Sequence, residues 1–328
     1  MNILIGLAEM KDKEYIPTKV YMSLLIRGTF SLGKIILLNM RELKRLRVIP
    51  EGSEHYVQPP KQYQIPEYKE GMRSCRSEEK YLRPTLYCDP NDPIVVALAN
   101  ELGAFQVSDR EFAERAFKFV KDKLLLNERQ MNEVGETFQR GSGTCFHLIT
   151  AFIALCRCAG IKARYKIFAM KMIPSWYDVV IQPDPFIKKW YDSLGYFVLE
   201  GEGEVFLDGE WVVANVTPEA DWQAATGTPI NKLGEDSLGN WYNAVPGTEM
   251  ILESMPYGLA FSLFILHTIA PGSMERVNIN IEKQKERGRE IIDASGGLEE
   301  YDRRARARQG PKLPKVELEP MNQIIFDK

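Results

Sequence analysis

The stretch from Cys145 to Cys158 constrains this chain more than any other. Phe146, Leu148, Ile149, Ala151, Phe152, Ile153, Ala154 and Leu155 leave no consistently polar side. A helix that is apolar on nearly every face must be surrounded by protein, so the fold has to be built around this segment. Gly160 supplies a natural stop just past its end. The following Ile161 to Met170 suits a strand. Ahead of it runs the small turn Gly141-Ser142-Gly143-Thr144, which sets Cys145 at the expected helix N-terminus, with Ser142 or Thr144 as its cap.

That position has chemical meaning. A thiol reacts as its thiolate. Unpaired N–H groups and the macrodipole at a helix N-terminus favour an anion and can hold an oxyanion. Gly141 and Gly143 leave room for a substrate carbonyl. Cys145 is therefore a candidate nucleophile and Gly143 a candidate substrate contact. Cys156 and Cys158 sit late in the same helix and read as packing residues, since a buried free cysteine behaves as a small hydrophobe.

The clearest β signal is YFVLEGEGEVFLDGEWVVANVT, with Asp208-Gly209 as a two-residue hairpin turn. Closing it there sets Phe206 opposite Trp211, Glu204 opposite Val213 and Glu202 opposite Asn215. Period two then gathers Glu200, Glu202 and Glu204 on one face. Gly201, Gly203, Val205, Leu207, Val212, Ala214 and Val216 fall on the other. The glutamates read either as a site or as a solvated strand face.

Around this core, PIVVALANELG reads as a helix ending at Gly103. SDREFAERAFKFVKDKLLL reads as another, with Ser108 and Glu111 in a capping-box pattern. Residues 1–50 look helical, and the part carrying Lys34, Arg41, Lys44, Arg45 and Arg47 is basic and amphipathic. Residues 51–93 look irregular, because proline breaks both helix and ladder. Residues 218–248 look loop-rich and 250–292 helical with a break near Ala270-Pro271-Gly272. The tail from Arg304 looks extended. The expected units are 1–92, a helical extension and proline-rich arm; 93–250, the core; and 251–328, C-terminal helices and tail.

Composition excludes several classes. The chain has 328 residues, 45% hydrophobic and 27% charged, with net charge −3. This is the balance of a globular protein and gives no electrostatic footprint for nucleic acid. The run from Tyr257 to Pro271 is too short to span a bilayer and carries His267, so it reads as a core helix. The five cysteines follow no disulfide-framework spacing, and no secretory signal is evident, so a reducing, cytoplasmic setting is expected. No cofactor and no resident metal are expected.

The segment GSGTC…FIALCRCAGIKARY resembles the nucleophile segment of the transglutaminase-like superfamily, a papain-like group of cysteine enzymes. The matching positions are Gly141, Gly143, Cys145, Arg157, Gly160, Ile161, Ala163 and Arg164, with Lys162 in place of the usual proline. EVFLDGEWVVANVT resembles the family's strand pair, and the likeness runs over roughly residues 93–220. It implies an α+β, papain/transglutaminase-like core in which a buried nucleophile helix packs on an antiparallel sheet, with helical extensions at both ends. The family pattern also places a histidine and an aspartate beside the cysteine. Here Glu200 holds the histidine position, Glu202 the tryptophan position and Asn215 the aspartate position.

Three readings follow. In the first, the chain is a rewired thiol enzyme with Cys145, Glu200 and Asn215 as catalytic residues and Gly143, Glu202 and His147 as substrate contacts. Neighbouring carboxylates repel, so one pKa rises toward neutrality and that glutamate can serve as base or acid. The substrate would be a small-molecule or peptide amide, or a nitrile or amidine-type carbon, and Cys145 would alkylate with a pH profile below that of a free thiol. In the second, the domain is an inactive scaffold that binds a protein partner through its terminal extensions. In the third, Cys145, His147 and the glutamates hold a metal. The two-residue spacing of Cys145 and His147 turns them about 200° apart on the helix, which argues against the third.

Overall fold

A computed structural model describes residues 18–46, 54–172, 177–235, 242–245, 248–255, 264 and 266–309. Two helices come first, α1 (Thr18–Leu38) and α2 (Met40–Leu46). Residues 54–92 then run without helix or strand, in line with their prolines. Next come α3 (Pro93–Glu101), α4 (Asp109–Lys123), β1 (Leu125–Leu126), α5 (Val134–Arg140), β2 (Ser142–Gly143), α6 (Cys145–Cys158) and β3 (Ala163–Met172). One π-helical turn (Tyr177–Ile181) and α7 (Pro185–Leu194) lead to β4 (Phe197–Leu207) and β5 (Glu210–Ala214). The described chain ends with α8 (Ala220–Ala225), β6 (Tyr242–Ala244), β7 (Met250–Leu252), α9 (Pro271–Ser295) and α10 (Leu298–Gln309).

Local chemistry explains the helix starts. Asp92 caps α3 by accepting from the Ile94 and Val95 N–H groups, with Pro93 at the first helical position. Ser108 caps α4 by accepting from the Glu111 N–H at 3.3 Å. Every residue of α6 after Cys145 is buried, as an all-apolar helix requires. Side chains of α3, α4 and α5, among them Val95, Phe112, Ala116 and Phe138, enclose one flank. Tyr165, Ile167, Val205 and Leu207 of the sheet enclose the other.

The sheet has five antiparallel strands in the order β5-β4-β3-β6, with β7 pairing β3 beside β6. The hairpin closes in the expected register, with Phe206 opposite Trp211 and Glu204 opposite Val213. Asp208 and Gly209 both take positive φ, 52° and 88°, as the turn demands. Gly201 and Gly203 let α6 lie directly on β4. A Cβ at either would come within 3.2 Å of the Phe146 ring or 3.3 Å of the Phe152 ring. The chain is thus an α+β fold with its buried helix on an antiparallel sheet.

At the far end of α6 the guanidinium of Arg157 is wholly buried. It donates to Ala163 O at 3.0 and 2.9 Å, to Arg83 O at 3.1 Å and to Glu253 O at 2.7 Å. One side chain therefore ties the helix to the start of β3, to the N-terminal arm and to the exit of β7. Helix α9 is drawn in by a second device. A Cβ at Gly288 would fall 1.7 Å from Asp221 O, so only glycine admits this approach to α8.

Several expectations fail. The helix expected over 250–292 opens instead with strand β7, and the Pro271 break is where α9 begins, since proline suits the first helical position. The loop-rich stretch contains α8 and β6. The tail stays helical to Gln309, where Arg306 pairs with Glu235 and Asp302. Glu202 and Glu204 do not form a solvated face: they are buried, and Glu204 pairs with Arg164 at 2.7 Å. Residues 1–17, 47–53, 257–263 and 310–328, on which other expectations fall, lie outside the described residues. No described helix is long and apolar enough to cross a membrane.

Replacing Arg157 by Met leaves three buried carbonyls without their donor. Each such loss costs roughly 1–3 kcal/mol. The variant is expected to lose at least about 3 kcal/mol of stability, read as a lower urea midpoint with an unchanged slope. A midpoint equal to that of the wild type would refute this role for the guanidinium.

Candidate functional site

The turn ahead of Cys145 is pinned before the helix begins. Gly141 takes φ +79° and closes α5. β2 then pairs in parallel with β1, Leu126 opposite Gly143, and the Asn127 N–H donates to Gly143 O at 2.8 Å. Thr144 is the N-cap of α6, and its N–H donates to His147 Nδ1 at 3.0 Å. The other ring nitrogen, Nε2, therefore carries the proton and donates to Asn132 Oδ1 at 2.8 Å. Burial and the nearby Arg140 charge push His147 down to about 3, so the ring stays neutral.

This arrangement explains Gly143 in terms other than substrate access. A Cβ there would sit 2.4 Å from the His147 Cβ. The glycine makes room for the histidine that caps the helix. His147 itself is buried, with both nitrogens engaged inside the chain, and it points away from the thiol as the helical spacing dictates.

Cys145 is partly exposed, and the Phe146 N–H donates to its sulfur. Its thiol lies close enough to the Glu200 carboxyl for each to act on the other's titration. Glu200 lies opposite Phe168, next to a register shift in the β3–β4 ladder. Irregularities of this kind turn a strand locally and re-aim its side chains. Burial first, then the Glu128 and Glu202 carboxyls, raise Glu200 to about 7. The same environment acts on the sulfur. Burial, then the charges of Glu200 and Glu128, push the Cys145 thiol well above its ordinary value. The low thiol pKa expected from a helix N-terminus is not found, because desolvation and two carboxyls outweigh the dipole. The resting group is S–H, beside Glu200.

Glu202 points into the protein beside Glu200. Lys166 Nζ lies 3.9 Å from Glu202 Oε2, and Asn215 Nδ2 lies 3.4 Å from Glu202 Oε1. Asn215 is buried and held by Thr217 N–H on its side-chain oxygen and by Asn231 on its carbonyl. The structure thus joins Cys145 to Glu200 and Asn215 to Glu202. It gives Asn215 no bond to Glu200.

Glu128 escaped the sequence reading. It sits in the loop after β1, in the polar run Asn127-Glu128-Arg129-Gln130, which has no periodicity to betray a role. Asn278 of α9 fixes it from both sides, accepting from its N–H at 2.6 Å and donating to its carbonyl at 3.2 Å. Burial raises its carboxyl to about 7. Glu128 also lines a cleft of about 530 Å³, together with Tyr56, Arg129, Asn132, Arg140 and His267. His267, expected as a core or interface residue, helps form this cleft. Among the described residues no group of three or more His, Cys, Asp or Glu side chains is placed to hold a metal ion.

The apolar helix, the cysteine at its start and the hairpin that reaches Asn215 fall within one recognised segment. Residues 96–215 match the family profile of the transglutaminase-like superfamily. No curated protein and no solved structure matches the chain. The likeness to that superfamily is carried by residues 96–215, which hold the helix, its cysteine and the hairpin.

Proposed function

We propose that the protein is a thiol enzyme in which Cys145 attacks an amide, nitrile or amidine-type carbon and Glu200 serves as general base. The observation that carries this reading is the closeness of the Cys145 thiol and the Glu200 carboxyl, each acting on the other's titration, in a site where that carboxyl is raised to about 7. A base with a pKa near the working pH is best placed to accept a proton and return it.

For an amide the steps balance as follows. The S–H proton passes to ionised Glu200 as sulfur bonds to the carbonyl carbon. Negative charge moves to the carbonyl oxygen, where the positive end of the α6 dipole favours it. Glu200 then gives its proton to the leaving nitrogen and the C–N bond breaks, leaving a thioester on Cys145. Water or an acceptor amine attacks that thioester, Glu200 takes its proton, and the proton returns to the departing sulfur. The outcome is hydrolysis or acyl transfer on a small-molecule or peptide amide.

Asn215 acts here as a positioning residue. It holds Glu202, whose negative charge helps to keep the Glu200 pKa high. Five cysteines without disulfides fit work in a reducing compartment such as the cytoplasm.

One observation favours the scaffold reading. The groups that shift the Cys145 thiol most are carboxyls, with no cation among them. A domain without chemistry, binding a protein partner through its terminal helices, would tolerate such a thiol.

Two reagents separate the readings. 4-Nitrophenyl acetate acylates Cys145 by a route that a general base assists, and iodoacetamide alkylates the thiolate. Acylation is expected to rise with pH through about 7 as Glu200 ionises. In Glu200→Gln it falls by about 100-fold or more, the scale of general-base assistance. Alkylation of Cys145 in the same variant, followed by peptide mass, is expected to rise about tenfold, because removing the carboxylate eases ionisation of the thiol. If both rates move in the same direction, or if no acyl group reaches Cys145, the general-base reading fails. A stoichiometric partner that co-purifies equally with Cys145→Ala would then support the scaffold.

A further inference from the structure

The cleft lined by Glu128 does not include Cys145 or Glu200 in its wall, and it carries positive charge that the proposed chemistry does not use. Arg129 and Arg140 both line it. They are close enough that the Arg129 charge, after burial, pulls Arg140 down to about 10. Among the described residues the bonds of both guanidiniums go to neutral acceptors. Arg129 donates to Gln58 Oε1 at 3.0 Å. Arg140 donates to Ser142 O at 3.2 Å and to Asn132 Oδ1 at 3.1 Å. Arg129 Nε is buried with no partner among the described residues. The two carboxyls on the cleft wall are engaged elsewhere. Glu275 accepts from the Tyr56 N–H and meets His55, and Glu128 is drawn toward the uncharged form by burial. Glu136, held by Asn132, offsets part of the Arg140 charge, but no carboxylate is hydrogen-bonded to either guanidinium among the described residues.

The cleft is also built against the reactive end of α6. Asn132 Oδ1 accepts from both Arg140 and His147, and His147 caps the helix that starts at Cys145. Glu128, on the same wall, is near enough to act on the charges of both Cys145 and Glu200. His267 donates to the Arg129 carbonyl and leaves Nε2 unpartnered among the described residues, which fixes the loop that presents the guanidinium.

We propose that this cleft holds an oxyanion end of the substrate, a carboxylate or a phosphate, with Arg129 and Arg140 as its counter-charges. The substrate class is then an acidic one: an amide or related group at one end, faced by Cys145, and an anion at the other. A guanidinium fork suits either oxyanion, because both present paired oxygens. The assignment to a substrate rests on the thiol-enzyme reading, whereas the anion site itself does not.

The test is calorimetric titration of the full-length protein with glutarate and, separately, with inorganic phosphate, at constant ionic strength in chloride. Saturable binding of at least one of them, at one site per chain, is expected, and the stronger of the two names the anion. Arg129→Gln is expected to weaken it at least about tenfold, the worth of a charged hydrogen bond. Arg129→Lys, which keeps the charge and loses the fork, should fall between. Circular dichroism and the thermal midpoint check that both variants remain folded. Absence of saturable binding by either anion, or binding unchanged in folded Arg129→Gln, overturns the proposal. Acylation by the neutral 4-nitrophenyl acetate reads the thiol chemistry separately, so the two proposals can fail independently.

Discussion

The buried guanidinium of Arg157 is the bond on which the geometry of the site rests. A charge with no exposure to solvent is costly unless its donors are satisfied. Here they are met by backbone carbonyls from the arm, from the head of β3 and from the chain leaving β7. The same segments are also joined through Tyr81, whose carbonyl accepts from the Ala163 N–H and whose N–H donates to Glu253, and by the Arg83–Glu253 ion pair. Fixing the C-terminal end of α6 against them sets the axis of the helix on the sheet. Gly201 and Gly203 then set its distance, by letting Phe146 and Phe152 meet the strand backbone. With direction and distance set, the other end of α6 can meet only one part of β4, and the residue there is Glu200.

The site placed in this way opposes folding. Glu128 and Glu200 both titrate at about 7 in the folded chain, against an ordinary 4.5. The folded state therefore holds protons that the unfolded chain releases above about 4.5. What these groups contribute is present below that value and is lost as pH rises to about 7. The chain compensates with the burial of α6, the Arg157 tie and the close approach of α9 at Gly288. Rigid surroundings that hold costly groups together are a general property of functional sites.

Much of this was legible in the sequence. The surrounding of α6 follows from its composition alone. The hairpin register follows from Asp208-Gly209, because a two-residue turn leaves no freedom in the pairing. The adjacency of Asn215 and Glu202 follows in turn from that register. The fate of Glu202 and Glu204 was not legible, since alternating glutamates look the same on a wet face and on a buried one. Only the opposing Arg164 and Lys166 on β3 decide it, and they are far away in the chain. The packing constraint on Gly143 was not legible for a similar reason. A glycine before a cysteine suggests access for a ligand, and nothing local shows that His147 occupies the space. Glu128, Arg129 and Arg140 belong to a cleft assembled from a loop, a helix end and α9, with no shared period or motif to connect them.

A carboxyl as base in place of an imidazole changes where charge resides during the proposed reaction. A cysteine beside a cationic base rests as a thiolate, and the helix N-terminus then supports the sulfur. With a carboxylate as base the sulfur rests as a neutral thiol, and the single negative charge sits on Glu200. When the proton moves to Glu200 that charge passes through sulfur to the substrate oxygen. The N-terminus of α6 thereby serves the oxyanion and not the resting nucleophile, which is consistent with a thiol pKa that is raised despite its place at a helix end. Such a site gains little by reacting with stray electrophiles, because the thiolate hardly forms in the absence of an acceptor carbon. Its reactivity depends on a substrate being seated where proton transfer and bond formation occur together, and this gives the recognition groups around the thiol their importance.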